Sequence, residues 1–182
     1  MATTLISPTL KFNPATQKVI TVAAGCFWGV EQIYRKHYLN KGLIDTKVGF
    51  SNGHKELENV SYKRVCQGDT EFAEVLQISY DPAQLPLKEL LSFFYRIHDP
   101  TTKNQQGNDI GTQYRSAIFT HSDEDLEIAK QVTEEFQPKW GNKIVTKIEP
   151  IKSWVEAEDY HQEYLDKNPY GYHCENHFVR DL

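Results

Sequence analysis

The stretch KVITVAAGCFWGVEQIYRKHY, Lys18–Tyr38, contains the junction that decides the fold. Its first seven residues, 18–24, are mostly β-branched or small apolar side chains, which is typical of a buried strand. After Gly25, aromatic or apolar side chains recur every three or four residues, as they do on the buried face of a helix. The stretch therefore predicts a strand, a glycine turn and a helix, with Cys26 at the start of the helix.

The same patterns predict the order of the remaining elements. Further strands are predicted over residues 43–50, 73–80, 114–121 and 143–151, and further helices over 86–97, 122–136 and 156–167. A polar stretch without periodicity, 101–113, is of the kind that carries function in compact domains. From Lys18 to His121 the order is β-α-β-β-α-β. We therefore expect an α+β fold, a two-layer α/β sandwich with a ferredoxin-like βαββαβ core and a mostly antiparallel sheet.

Length and composition restrict the class of protein. The 182 residues predict a single domain, 1–182, with a core over about 18–151 and an extended, irregular C-terminal tail over about 152–182. The net charge of −5 disfavours nucleic acid and anionic membranes as partners. No apolar run approaches the ~20 residues that span a bilayer, and the N-terminus lacks the pattern of a secretory signal. We expect a cytoplasmic monomer.

Three cysteines are too few for a structural disulfide framework, so each is a free thiol, a metal ligand or a redox catalyst. Cys26 at a helix N-terminus is expected to have a lowered pKa and to act as a nucleophile, although a buried apolar cysteine fits the same position. Cys174 is either a resolving thiol carried by a flexible tail or an exposed thiol without a partner. Cys66 is interpreted as structural or incidental.

The residues around these thiols leave further alternatives. One of Phe27 and Trp28 is expected to face the core and the other to form an aromatic wall beside the sulfur. The tail sequence 173–177, HCENH, holds three potential metal ligands, but no second paired set lies at ligand spacing, so no metal site is predicted. Histidines in helical patterns, such as His37 and His161, are expected to be surface or capping residues.

The motif Gly25-Cys26-Phe27-Trp28-Gly29 resembles the signature of the A-type peptide methionine sulfoxide reductases. Five more motifs follow in the order of that family: Tyr62-x-x-Val65-Cys66-x-Gly68, Ala73-Glu74-Val75, His98-Asp99-Pro100-Thr101, Gln106-Gly107-Asn108-Asp109 and Gly111-Thr112-Gln113-Tyr114-Arg115-Ser116. The resemblance covers roughly residues 19–174. It implies thiol-dependent reduction of methionine-S-sulfoxide, free or in proteins, and thus the repair of proteins damaged by oxidative stress.

The resemblance also implies roles for single residues. Cys26 matches the nucleophile that attacks the sulfoxide sulfur and becomes a sulfenic acid. Glu74 matches the essential carboxyl, which is expected to stay protonated near neutral pH because its surroundings disfavour its charge. Tyr62 and Tyr114 match the tyrosines that hold the sulfoxide oxygen, and Asp109 matches a carboxylate that organises a water there.

The remaining implied roles concern the methyl group and recycling. Phe27 and Trp28 match the residues that receive the S-methyl group of the substrate. Cys174 matches the resolving thiol, which forms a disulfide with Cys26 that thioredoxin then reduces. Many members of the family carry two tail cysteines, so the single Cys174 implies one resolving step. No bound cofactor and no metal are implied, and thioredoxin is the implied reductant.

Two other functions remain open at this point. In a papain-type thiol hydrolase, His and Asn lie about 130–150 residues after the nucleophile, and His161, His173 and Asn176 lie at comparable distances after Cys26. The local cysteine pattern of those enzymes is absent, however. A methionine-binding module that keeps the pocket without turnover is the third interpretation.

Overall fold

The computed structural model describes residues 5–54 and 60–182. The strands are β1 (Lys18–Ala24), β2 (Leu43–Ser51), β3 (Ala73–Tyr80), β4 (Gln105–Gln106), β5 (Asp109–Ile110), β6 (Ser116–Thr120), β7 (Lys147–Pro150) and β8 (Val155–Glu156). The helices are α1 (Phe27–Tyr38), α2 (Tyr62–Val65), α3 (Leu87–Arg96), α4 (Asp123–Phe136) and α5 (Tyr164–Lys167), with 3-10 turns at Thr112–Tyr114, Pro138–Trp140 and Asp159–His161. None of the helices in these two ranges is long and apolar enough to cross a membrane.

Six strands form one sheet in the order β7-β6-β1-β3-β2-β8. All neighbouring strands are antiparallel except β6 and β7, which are parallel. The fold is therefore mixed α/β with a mostly antiparallel sheet, as predicted. In this sheet Val22 on β1 pairs with Leu76 on β3, so the carboxyl end of β1 lies beside the amino end of β3. The turn that carries Cys26 thus begins next to the part of β3 that carries Glu74.

The sheet buries both of its faces, in different ways. On one face helices α1, α3 and α4 pack against alternate strand residues, in a core that includes Ile20, Phe27, Leu76, Phe94 and Val132. On the other face the covering residues come from chain segments outside the helices: Leu5, Ile151 and Trp154 pack on Ala23, Val75 and Phe119. Since side chains alternate along a strand, Glu74 shares the helix-covered face with Leu76.

The predicted helix over 156–167 is wrong, because tertiary hydrogen bonds replace it by a strand, a 3-10 turn and a short helix. The side-chain amide of Gln162 accepts from Val48 N and donates to Val48 O, both at 2.9 Å, and so pairs with β2 as a strand would. Glu163 has a φ of +54°, in the left-handed region that interrupts a helix. The sheet also continues beyond residue 151, because β8 pairs with β2.

Candidate active site

Cys26 caps the N-terminus of α1 at the turn that follows β1. The turn depends on Gly25, which has a φ of +90° and lies so close to Gln106 that a Cβ atom would come within 2.7 Å of its Cγ. Only 6% of Cys26 is exposed, and the thiol forms no disulfide. The predicted strand, glycine turn and helix are therefore confirmed, and they hold a shielded thiol at the first turn of α1.

The electrostatics at Cys26 contradict the predicted lowering of its pKa. Burial raises the pKa of the thiol well above its usual value, and Glu74 and Asp109 raise it further in their ionised forms. The backbone amides of Trp28 and Gly29 lower it, as expected at a helix N-terminus, but their effect is smaller. Without substrate the Cys26 thiol is therefore neutral, and it must lose its proton when it reacts.

Glu74 supplies a buried acid beside the thiol. Its side chain is 1% exposed, and Oε1 accepts a hydrogen bond from Phe27 N at 3.2 Å. Burial raises the pKa of this carboxyl to about 8, more than the hydrogen bond from Phe27 lowers it. Oε2 is buried and has no hydrogen-bond partner in the described part of the chain. The expectation of a carboxyl that stays protonated near neutral pH agrees with this position, and its proton is free to be donated.

Tyr62 and Tyr114 bring two neutral hydroxyls to the same place from different elements. Tyr62 is the first residue of α2, and Tyr114, the first residue of the strand predicted over 114–121, instead ends the 3-10 turn before β6. Both side chains are half-buried, and burial followed by the charge of Glu74 raises the pKa of each phenol. Because they remain protonated, both hydroxyls can donate hydrogen bonds to an oxygen held near Glu74.

The structure divides the aromatic pair Phe27 and Trp28 as predicted, with one ring in the core. Phe27 is fully buried, with its ring centroid 5.6 Å from Phe50 and 6.0 Å from Tyr62. Trp28 is half-buried and stacks on Tyr164 at 4.0 Å and on Tyr62 at 5.9 Å. Trp28 therefore has surface available to a ligand, whereas contact between Phe27 and a ligand stays a prediction.

His161 is the residue that sequence reasoning missed. It was expected at the surface or at a helix cap, but it is fully buried in the 3-10 turn before α5. Its Nδ1 accepts from the indole Nε1 of Trp28 at 3.0 Å, and its ring centroid lies 4.3 Å from that of Tyr62. Nε2 lies 3.2 Å from Glu158 Oε2. His161 thus fixes the indole of Trp28, and no local sequence pattern indicated this, because the two residues are 133 positions apart.

The polar stretch 101–113 folds into a small hairpin, β4–β5, on which the C-terminal tail lies. The hydroxyl of Tyr172 donates to Asp109 Oδ1 at 3.1 Å, and the Cys174 sulfur lies 3.7 Å from Gln106 O. Cys174 is 5% exposed and forms no disulfide. Asp109 and Cys174 are close enough that each shifts the pKa of the other, and Asp109 also raises the pKa of Cys26. Asp109 is therefore close to both thiols.

The histidines and the asparagine of the hydrolase interpretation are engaged elsewhere. His161 accepts from Trp28, His173 is exposed and pairs with Pro169 O at 3.3 Å, and Asn176 donates to Gln106 at 3.3 Å. These contacts do not form a base and its orienting partner beside Cys26. Among residues 5–54 and 60–182, no three His, Cys, Asp or Glu side chains are grouped so as to hold a metal ion.

Comparisons with known proteins agree with the motifs. The family model of the peptide methionine sulfoxide reductases matches residues 18–181. A peptide methionine sulfoxide reductase of Saccharomyces cerevisiae is 59% identical over 182 residues, covering 98% of each chain. The crystal structure of Mxr1 from Saccharomyces cerevisiae in reduced form has a TM-score of 0.95 at 59% identity, covering 98% of this chain and 100% of the other. The structure of Mxr1 in complex with Trx2 has a TM-score of 0.70 at 44% identity, with the same coverage.

Proposed function

The chain belongs to the peptide methionine sulfoxide reductase family and is an oxidoreductase that reduces methionine sulfoxide, and on this premise we propose that Cys26 is the nucleophile and that the S epimer is its substrate. One observation carries the assignment. The buried carboxyl of Glu74, with a pKa of about 8 and an Oε2 that has no partner in the described part of the chain, accepts a hydrogen bond from the amide of Phe27, the residue after Cys26. A weak electrophile such as a sulfoxide needs an acid in that place.

In the proposed first step the Cys26 sulfur attacks the sulfur of methionine sulfoxide. The sulfoxide oxygen takes the proton of Glu74 and accepts hydrogen bonds from the hydroxyls of Tyr62 and Tyr114. The bond formed between the two sulfurs and the S–O bond to methionine then break as the OH group passes to the Cys26 sulfur, so methionine leaves as the thioether and Cys26 becomes a sulfenic acid. The proton of the Cys26 thiol restores the acid form of Glu74, so thiol plus sulfoxide gives sulfenic acid plus thioether.

We propose that Trp28 receives the S-methyl group of the substrate. Its indole is half-buried, and it is held by Tyr164 on one face and by a hydrogen bond to His161. Phe27 supports the same cluster from inside the core through its contact with Tyr62. A rigid apolar wall of this kind binds a methyl group and excludes water from the reacting sulfur.

In the proposed second step the Cys174 sulfur attacks the Cys26 sulfenic acid, and the disulfide forms as water leaves. Thioredoxin then reduces the disulfide, a role supported by the complex of the related Mxr1 with Trx2. Asp109 organises a water in the pocket. We further propose that the protein is a cytoplasmic monomer that repairs oxidised proteins and reduces free methionine sulfoxide.

We also propose that the four central strands with α1 and α3 form a ferredoxin-like unit within a single domain. The strand order β6-β1-β3-β2 and the common face of the two helices support this assignment. In this unit the nucleophile follows the first strand, and the carboxyl lies on the third.

Epimer selection and the roles of the thiols are tested together. With dithiothreitol the protein should convert methionine-S-sulfoxide in a peptide to methionine and leave the R epimer unchanged. Without reductant, Cys174→Ser should still release one equivalent of methionine, and with thioredoxin it should not turn over. Cys66→Ser is the matched control and should turn over as the wild type does. Conversion of the R epimer would contradict the substrate assignment, and recycling of Cys174→Ser by thioredoxin would contradict the resolving role.

A further inference from the structure

Two histidines flank Cys174 in the C-terminal tail, and their hydrogen bonds differ. His173 is exposed, and its Nε2 pairs with Pro169 O within the tail itself, at 3.3 Å. His177 reaches β1, where its Nε2 lies 2.7 Å from Ala24 O. Its Nδ1 is buried without a hydrogen-bond partner among the described residues. The imidazole of His177 is thus inserted into the protein at the carbonyl of Ala24, which lies two residues before Cys26 in the chain.

The seat of this imidazole is made by two glycines of the motif Gly25–Gly29. A Cβ atom on Gly29 would collide with Nδ1 of His177, and one on Gly25 would lie 3.4 Å from Nε2. Gly29 lies inside α1, where glycine costs about 1 kcal/mol relative to alanine. Its φ is not in the left-handed region, so the backbone does not require glycine there. The absence of a side chain at Gly29 is therefore what admits the imidazole.

A backbone hydrogen bond joins His177 directly to Cys174. His177 N donates to Cys174 O at 3.1 Å, so that the two residues belong to one turn. Around Cys174 itself, a cavity of about 470 Å³, lined by Ile33, Lys36, His173, Cys174 and Phe178 among others, lies between the chain and α1. His177 is thus a point at which the turn of Cys174 is attached beside the first turn of α1.

We propose that His177 is a positioning residue for the second step: seated between Gly25 and Gly29, it keeps the Cys174 thiol near Cys26 until the sulfenic acid forms. The inference rests on the proposed function of Cys174 as the resolving thiol. In that step Cys174–SH and Cys26–SOH give the S–S bond. The S–O bond breaks, and the hydroxide leaves as water with the thiol proton, so no other reactant is needed. Holding the two groups together raises the effective concentration of the thiol.

The test separates the two half-reactions. In one turnover without reductant, methionine release reports the first step, and loss of free thiols together with trapping of the sulfenic acid reports the second. His177→Ala should slow disulfide formation on the order of 10²-fold, since small displacements of reacting groups have effects of that size, and leave methionine release unchanged. His177→Gln, which keeps a donor for Ala24 O, should restore part of the rate. His173→Ala is the matched control and should behave as the wild type.

A second variant tests the seat itself without removing the imidazole. Gly29→Ala adds one methyl group against Nδ1 on a helix whose propensity it improves, and the ratio of disulfide formation to methionine release should fall as it does in His177→Ala. Unchanged or faster disulfide formation in both variants would overturn the proposal, as would an equal loss of both steps. Recycling of Cys174→Ser by thioredoxin would overturn the resolving role of Cys174 and, with it, the role of His177, whereas normal disulfide formation in the two variants would overturn the role of His177 alone.

Discussion

The two thiols of the site lie in contrasting parts of the molecule. Cys26 lies between a central strand and a helix, and regular backbone hydrogen bonds fix its place. Cys174 follows the last helix, in a segment without regular structure that separate hydrogen bonds attach: Tyr172 to Asp109, Asn176 to Gln106, His177 to Ala24 and the backbone of Arg180 to Arg96. A segment attached in this way can detach without opening the sheet. Cys26 is therefore fixed, and Cys174 is held by contacts that can be released.

This difference explains which physical property matters in each part. Around Cys26 the burial is so complete that it controls the protonation of Cys26 and Glu74. In the tail, Tyr172 is 45% exposed and Tyr170 is fully exposed, so burial matters less than the few contacts that attach the segment. Substitutions near Cys26 should consequently alter the rate of methionine release, and substitutions in the tail should alter the position of the Cys174 thiol.

Glu74→Gln should have the largest effect, and the effect should be confined to the reaction at Cys26. Glutamine keeps the size of the side chain and an acceptor for Phe27 N but cannot donate the acidic proton. Methionine release in a single turnover should fall about 10²–10⁴-fold, the usual contribution of general acid catalysis. Glu175→Gln, on the tail beside Gly107, is the matched control and should release methionine at the wild-type rate. Equal loss in the two variants would mean that the two regions are not separate in function.

A smaller effect is expected from pH alone. The acid form of Glu74 predominates below its pKa of about 8 and is lost above it, so methionine release should fall by up to about tenfold per pH unit as pH rises beyond 8. The rate is measured in single turnovers between pH 6 and about pH 10, because the tail does not take part in that step. In Glu74→Gln this decline should be absent. A decline that persists in the variant would assign it to another group.

The same contrast describes what the sequence could predict. The strand at residues 18–24, the helix after Gly25 and the strand at 73–80 were all placed correctly, because each buries a periodic apolar face that local sequence displays. The pKa of Cys26 was predicted with the wrong sign. The helix amides act as expected, but the burial that outweighs them depends on segments far along the chain.

The segment after residue 151 could not be predicted, because its partners are distant in sequence. Gln162 pairs with Val48 and His161 with Trp28, contacts that span more than a hundred residues and leave no local pattern. The hairpin at Gln105–Ile110 was likewise hidden in a stretch recognised only as polar and functional. Family motifs identified the candidate residues Glu74 and Asp109, but they indicated neither the unpartnered oxygen of Glu74 nor the contact of Asp109 with Tyr172.

The smallest effect is expected at a contact between α1 and the segment that carries Tyr164, away from the reacting atoms. Glu31, buried on α1, accepts from Thr46 Oγ1 at 2.8 Å and from Glu163 N at 2.5 Å, and Glu163 precedes Tyr164, the ring that stacks on Trp28. Glu31→Ala leaves these buried donors without an acceptor, so the free energy of unfolding should fall by about 1–3 kcal/mol.

The same substitution should loosen Tyr164 and raise KM for the sulfoxide, with little change in kcat. Glu31→Gln keeps an acceptor for Glu163 N and should lose less in both measurements, which are urea denaturation and steady-state kinetics. If the two variants lose the same stability and KM is unchanged in both, Glu31 supports α1 alone. The position of Trp28 would then not depend on the contact between Glu31 and the segment that carries Tyr164.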